Sequence, residues 1–132
     1  MSGINNGTAN NGLFNSQKQY DLEERTLKFS KEVRVFVKKI HKTISNLEDI
    51  KQLVRSSGSV GANYIEANEA FSKRDFAMRV KICKKEIKES RYWLILLDTE
   101  GNVDLNKERD RLIAEATELM FIFRKIISSC NI

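Results

Sequence analysis

Apolar and small residues recur along four stretches of this chain at alternating spacings of three and four. That spacing places them on one face of an α-helix, so each stretch predicts a helix that buries one side. In the third stretch the residues of this face are Phe76, Val80, Cys83, Ile87, Ser90, Leu94 and Leu97. The four predicted helices cover about residues 21–44, 46–68, 72–100 and 105–130. Because short connections join long helices, the pattern predicts an all-α fold, an antiparallel up-down-up-down four-helix bundle.

Residues that can cap a helix stand at the predicted helix starts. The pairs of a capping residue and an acid three positions later are Asp21 with Glu24, Ser45 with Glu48 or Asn46 with Asp49, and Ser72 with Asp75. In such a pair each side chain bonds the backbone N–H of the other residue. Phe71 precedes Ser72 and is expected to pack against Phe76. The other boundary residues are Gly101 and Asn102 at the end of the third helix, and Asp104 or Asn106 at the start of the fourth.

Residues 1–19 are rich in asparagine and glycine. Such a segment cannot bury enough apolar surface to offset the conformational entropy that it loses on folding. We therefore expect a flexible tail at residues 1–19 and a single bundle domain at residues 20–132. No basic residue precedes Lys18, and no apolar run approaches the roughly 20 residues that cross a bilayer. We expect no membrane partner and a cytoplasmic location.

The middle of the second helix is unusually rich in small residues, with the sequence SSGSVGA. Gly58 and Gly61 would favour a loop, but the helical spacing continues on both sides of them. Small residues let a neighbouring helix approach closely, and the Lys–Ser/Thr ending of a phosphate loop is missing. On the same helix Arg55, Ser59 and Glu66 share one side. A solvated face is the favoured interpretation, and a partly buried polar network is the alternative.

The third helix carries the excess positive charge of the chain. From Ser72 to Arg91 it contains eight basic and three acidic residues, an excess of five that equals the net charge of +5 for the whole chain. At about 100° per residue, seven of the basic residues fall within an arc of about 120°. These candidate nucleic-acid-binding residues are Lys73, Arg74, Lys81, Lys84, Lys85, Lys88 and Arg91. A solubilising face is the alternative interpretation of this arc.

The C-terminal end of the third helix is apolar nearly all round, from Tyr92 to Leu97. A helix that is apolar all round has to be covered on more than one side. In a single small bundle, that requirement predicts contacts with another subunit. The residues that we assign to this oligomer interface are Tyr92, Trp93, Ile95 and Leu96.

The residues that could carry catalysis or bind a metal are few. Cys83 and Cys130 fall at apolar helical positions, which predicts reduced core thiols rather than a disulfide or a metal site. His41 is the only histidine and has no partner at metal-ligand spacing. The remaining conceivable catalytic set is Glu66, Glu69 and Arg55, which lacks a nucleophile or a histidine. We therefore expect a protein that is not an enzyme and that needs no metal or cofactor.

Two segments carry a family resemblance: RSSGSVGANYIEA and SKRDFAMRVKICKKEIKESRYWLILL. They resemble small bacterial four-helix-bundle proteins that were first noticed as products of intervening sequences in 23S ribosomal RNA genes. The resemblance covers about residues 21–130. It implies a homopentamer, and one branch of the family serves as the accessory protein of diversity-generating retroelements. In that branch the resemblance implies two partners, a reverse transcriptase and a nucleic acid.

Two functions follow as hypotheses. The first is a non-enzymatic, homo-oligomeric accessory protein that binds RNA or DNA through the basic surface of the third helix and assists a reverse transcriptase. Repetition of that surface around a ring would raise the effective affinity of a weak patch. The alternative is an oligomeric protein-interaction scaffold without nucleic-acid binding.

Overall fold

A computed structural model describes the backbone of residues 7–130 and the side chains of residues 22–130. This part of the chain contains four helices and no strand, which confirms the all-α expectation. The helices are α1 (Gly7–Lys38), α2 (Ile44–Asn68), α3 (Lys73–Leu96) and α4 (Val103–Ser129). Each helix packs against two others, so that α1 contacts α2 and α4, and α3 contacts α2 and α4. None of these helices is both long and apolar enough to span a bilayer.

The start of α1 differs from the prediction. The helix begins at Gly7 rather than near Asp21, so residues 7–19 of the predicted tail are helical and Asp21 is not a cap. Asp and Glu are tolerated inside a helix, and no proline stops the helix from extending toward the N-terminus. Residues 1–6 of the predicted tail lie outside the described residues. The flexibility of the tail stays a prediction.

The cap of α3 is confirmed, and those of the other helices differ from expectation. Ser72 Oγ accepts a hydrogen bond from Asp75 N (3.0 Å), as the sequence predicts. Phe71 is fully exposed, so its predicted packing against Phe76 is wrong. The residues that cap the other helices are Thr43, which accepts from Asn46 N in α2, and Asn102, which accepts from Leu105 N in α4.

The third helix ends at Leu96 rather than near residue 100 because tertiary contacts occupy the backbone that follows. The Asn46 side chain accepts a hydrogen bond from Asp98 N (3.0 Å) and donates one to Asp98 O (2.9 Å). Arg109 Nη1 donates to Leu97 O. The turn that follows contains two residues with positive φ, Glu100 (55°) and Gly101 (76°).

The core consists largely of the faces that the periodicity predicts. In α3, Val80, Cys83, Ile87 and Leu94 are completely buried. The other large and fully buried side chains are Phe29, Val33, Phe36, Leu53, Val60, Leu112, Leu119 and Phe123. Burial of this much apolar surface is the main stabilising contribution to the fold.

Specific polar contacts fix how the helices are placed along one another. Between α2 and α3, Ser56 Oγ lies 2.8 Å from Ser90 Oγ, and Cys83 Sγ donates to Val60 O (3.4 Å). Ion pairs between α1 and α4 join Arg25 to Glu115 and Glu118, and Glu32 to Arg111, and just past the end of α1 Lys39 pairs with Glu108. In both sets of contacts, residues with higher numbers on one helix contact residues with lower numbers on the other helix.

Asn46 connects the two loops at one end of the bundle. Its side chain is completely buried and joins the α1–α2 loop, through His41 O (2.9 Å), to Asp98 in the α3–α4 loop. Backbone groups that lie this deep need partners, because an unsatisfied buried polar group costs about 1–3 kcal/mol.

The first test concerns this buried amide. We expect Asn46→Ala to lower the free energy of unfolding by about 3 kcal/mol, because three hydrogen bonds to backbone groups are lost together. The control is Ser45→Ala at the exposed neighbour, for which we expect a change within about 0.5 kcal/mol. Chemical denaturation followed by circular dichroism measures both values. Equal stabilities of the two variants would contradict the role of Asn46.

Candidate nucleic-acid interface

The seven predicted basic residues lie along one side of α3. Five of them are exposed and two are half-buried: exposed are Lys73, Arg74, Lys81, Lys85 and Lys88, and half-buried are Lys84 and Arg91. From first to last they span eighteen residues of one helix, or about 27 Å at 1.5 Å per residue. The residues of the predicted arc are therefore brought together in a single row, which we call the basic face of α3.

The acidic residues near the middle of α3 lie on a different side. Glu86 is buried, and its carboxylate accepts a hydrogen bond from Arg55 Nη2 of α2 at 3.3 Å. The same guanidinium nitrogen bonds the carboxylate of Glu89 at 3.2 Å. Arg55 therefore belongs to a polar network between α2 and α3, which corrects the interpretation of its stripe as a solvated face. Glu66 of that stripe is exposed and keeps the expected solvated position.

The cations of the basic face form no ion pair with the acids that the structure describes. Within residues 22–130, no carboxylate lies within 4.0 Å of the charged nitrogens of these seven residues. Among these seven residues, Arg91 is the one with a tertiary hydrogen bond in the described part of the chain, since its Nε donates to Thr117 Oγ1 of α4 (2.8 Å). The positive charges of the row are therefore available to an external anion.

α4 adds a cation that the periodicity of α3 did not reveal. Arg124 lies over the ring of Phe121, with its Cζ 5.2 Å from the ring centroid. The bond from Arg91 to Thr117 sets the register of the two helices. Arg124 stands two turns beyond Thr117, and Lys84 stands two turns before Arg91, so both lie at the same level of the bundle. Sequence analysis of α4 identified only its apolar face. The position of Arg124 on the flank beside that face is the sequence feature that could have identified it as a candidate residue.

The predicted interface residues continue the basic face toward the end of α3. Tyr92 is 56% exposed, and Ile95 and Leu96 are exposed to 50% and 46%. Trp93 is half-buried and packs edge-on against Tyr92, with ring centroids 5.1 Å apart. Its indole N–H is buried and has no hydrogen-bond partner in the described part of the chain. The exposed apolar side chains remain without a partner in the single subunit.

Two titratable groups with raised pKa values lie in the core. Burial raises the pKa of the Cys83 thiol to about 12 and that of Tyr64 also to about 12. Both cysteines are buried, as their apolar helical positions predict, and neither forms a disulfide in the described part of the chain. In residues 22–130 no three His, Cys, Asp or Glu side chains come together in a way that could hold a metal ion. His41 Nδ1 lies 2.9 Å from a carboxylate oxygen of Glu100 at the surface.

Comparison with known proteins gives a matching family model and a similar solved structure. The model of a family described as 23S rRNA-intervening sequence protein matches residues 18–125. A crystal structure from Bacteroides thetaiotaomicron, of a protein with unknown function from the S23 ribosomal protein family, is 27% identical to this chain. Its TM-score is 0.67, and the match covers 80% of this chain and 96% of that one. No curated protein matches the chain.

The second test concerns the network that separates the acids from the basic face. We expect Arg55→Met to lower the free energy of unfolding by about 2 kcal/mol, because the buried Glu86 carboxylate loses its partner while Arg55 itself is half-exposed. Adding Glu86→Gln should restore more than half of that loss. The control is Lys51→Ala, whose ion pair with Glu48 is exposed on both sides. Urea denaturation of the wild-type chain, the two single network variants, the double variant and the control checks this coupling, and additive effects of the two network substitutions would contradict it.

Proposed function

From the membership of this chain in the 23S rRNA-intervening sequence protein family, and from the basic face of α3, we propose that it is a non-enzymatic, homo-oligomeric accessory protein that binds nucleic acid. The family match bears out the resemblance that the sequence motifs indicated. The nucleic acid, the oligomer and the absence of catalysis are our proposals.

The observation that carries this proposal is the uncompensated charge of α3. The row of seven cations has no carboxylate within ion-pair distance in the described part of the chain, while Arg55 holds Glu86 and Glu89 on another side. Lysine and arginine that neutralise phosphates release condensed counterions, and this contribution needs no base-specific contact. A straight row of about 27 Å suits a sugar–phosphate backbone.

Oligomerisation is the second part of the proposal. We propose an antiparallel up-down-up-down bundle that assembles into a homopentamer, as the family resemblance implies. The rising and falling residue numbers of the interhelical contacts support the antiparallel order. The exposed Tyr92, Ile95 and Leu96 support a contact with another subunit, because exposed apolar clusters of this kind mark interaction sites. A ring would present five copies of a weak basic face and gain affinity through effective concentration.

A reverse transcriptase is the protein partner that the retroelement branch of the family implies. Such an enzyme works on nucleic acid, so a subunit ring with a basic face would hold the template close to it. The genomic neighbourhood is the direct check, because a reverse transcriptase gene with an adjacent template repeat favours this branch.

A second candidate function is a protein-interaction scaffold. It is favoured by the corner between α2 and α3, where Phe71 is fully exposed and Met78 is 58% exposed beside Glu66, Glu69 and Asp75. An apolar side chain among carboxylates suits a basic partner protein rather than a phosphate backbone. Catalysis is not proposed, because the groups with raised pKa values, Cys83 and Tyr64, are enclosed in the core.

The third test is a filter-binding titration with RNA and DNA at about 50 and about 200 mM salt. We expect binding that falls steeply with salt, and we expect Lys81→Glu with Lys85→Glu to reduce the slope of log K against log salt by about two. The control is Lys38→Glu with Lys107→Glu, at two other exposed lysines that form no ion pair with the described residues. It changes the net charge by the same amount.

Two results would refute nucleic-acid binding through α3. One is the absence of retention at the lower salt concentration. The other is an equal loss of binding in the α3 variant and in the control variant, since that result would reflect net charge alone.

A further inference from the structure

Two exposed apolar surfaces lie on different sides of the subunit. One is a groove of about 410 Å³ between α1 and α2, where Leu27 and Ile65 are 54% and 50% exposed. We call it the α1–α2 groove. The other is the end of α3, formed by Tyr92, Ile95 and Leu96, which we call the α3 end. The groove is recessed, whereas the α3 end is the outward side of a helix, so their shapes are complementary.

The two glycines that line the groove differ in the space that their neighbours leave for a Cβ atom. A Cβ on Gly61 would lie 2.9 Å from Thr26 Oγ1, so the close approach of α1 requires glycine there. A Cβ on Gly58 would lie 3.5 Å from Arg34 Nη2 and 3.8 Å from Ser30 Oγ, which are ordinary contacts. Glycine destabilises a helix interior relative to alanine. Since no contact inside the subunit requires glycine at position 58, its small size suits a chain that packs on the groove from outside.

The charges at the ends of the two surfaces are complementary. Two exposed charges of α1 lie at the groove: Glu24 lines it, and Arg34 stands next to its lining residue Gly58. They are ten residues apart on the helix, which is about 15 Å. The exposed Lys88 and Asp98 bracket the α3 end, also ten residues apart. Within residues 22–130 none of these four side chains forms an ion pair. Both surfaces thus carry an apolar centre between opposite charges at a similar separation.

We propose that the α3 end of one copy docks into the α1–α2 groove of the next copy. In this arrangement Lys88 lies near Glu24 of the neighbour and Asp98 lies near its Arg34, which fixes the direction of the docked helix. The inference rests on the proposed homo-oligomer and names the two surfaces that form it. Contacts between two different surfaces form a closed ring when the rotation between neighbours closes, and a ring with an odd number of subunits requires contacts of this kind. Residues 73–85 of α3 stay outside the contact and remain open to nucleic acid.

The test uses one variant of each surface. Ile65→Glu introduces a charge into the groove and Ile95→Glu introduces one into the α3 end, and both positions are half-exposed, so the subunit fold is retained. We expect each variant alone to sediment as a monomer at micromolar concentration. In an equimolar mixture one intact pair of surfaces remains, so we expect a heterodimer of twice the 15.3 kDa chain mass. Circular dichroism verifies the helical content of each variant, and Val35→Glu, on an exposed part of α1 outside the groove, should leave the oligomer intact.

A charge exchange tests the direction of docking. We expect Glu24→Lys to weaken association by at least tenfold and Lys88→Glu to do the same, while the double variant recovers most of the affinity. Gly58→Ala distinguishes an effect on the subunit from an effect on the contact between subunits. We expect this substitution to raise the thermal stability of the monomeric Ile95→Glu variant and, in the otherwise wild-type chain, to weaken association.

The outcomes distinguish this inference from the proposed function. A wild-type chain that is monomeric at micromolar concentration overturns the homo-oligomer and the docking together. A wild-type oligomer that persists in Ile65→Glu but not in Ile95→Glu overturns the docking alone, because it indicates that the α3 end pairs with itself around a two-fold axis. Monomeric variants that do not associate on mixing also overturn it. Loss of nucleic-acid binding in Lys81→Glu with Lys85→Glu, with the oligomer retained, leaves the docking supported.

Discussion

The pairing of Arg55 with the buried carboxylate of Glu86 determines what the outer surface of α3 presents. Without this partner a charged carboxylate would have to leave the interior, and the nearest route to solvent is the surface of the same helix. Arg55 holds Glu86 and Glu89 against α2 instead. The outward side is left to lysine and arginine. One cation of α2 therefore has a larger effect on the surface potential of α3 than its own charge suggests.

The same division organises the rest of the bundle. The α1–α4 contact is bordered by ion pairs, and α2 and α3 meet through small and buried polar side chains such as Ser56 and Ser90 beside the Arg55 network. The close contact at Gly61 brings α1 onto α2 and leaves the α1–α2 groove beside it. The basic face of α3 and the α1–α2 groove thus lie on different helices of the bundle.

The sequence predicted the interior better than the boundaries. The buried faces of α3 and α4 follow from spacing alone, because any packed helix must bury its apolar stripe. The start near Asp21 failed because a capping pair indicates a helix start only when the preceding chain leaves the helix. The end of α3 depends on Asn46 and Arg109, which lie far away in sequence and bond the backbone of residues 97 and 98. Predicting the Arg55 network requires the rotation of α2 and α3 relative to each other, and a helical wheel of a single helix does not contain that information.

The buried amide of Asn46 ties together the two loops at one end of the bundle, and at the opposite end no comparable link joins the α2–α3 loop to the described end of α4. Native proteins open locally where few contacts hold the backbone. Amide protons near residues 68–73 should therefore exchange with solvent faster than those near residues 41–46 and 97–99. Local opening is therefore expected at the end of the subunit that carries the exposed Phe71.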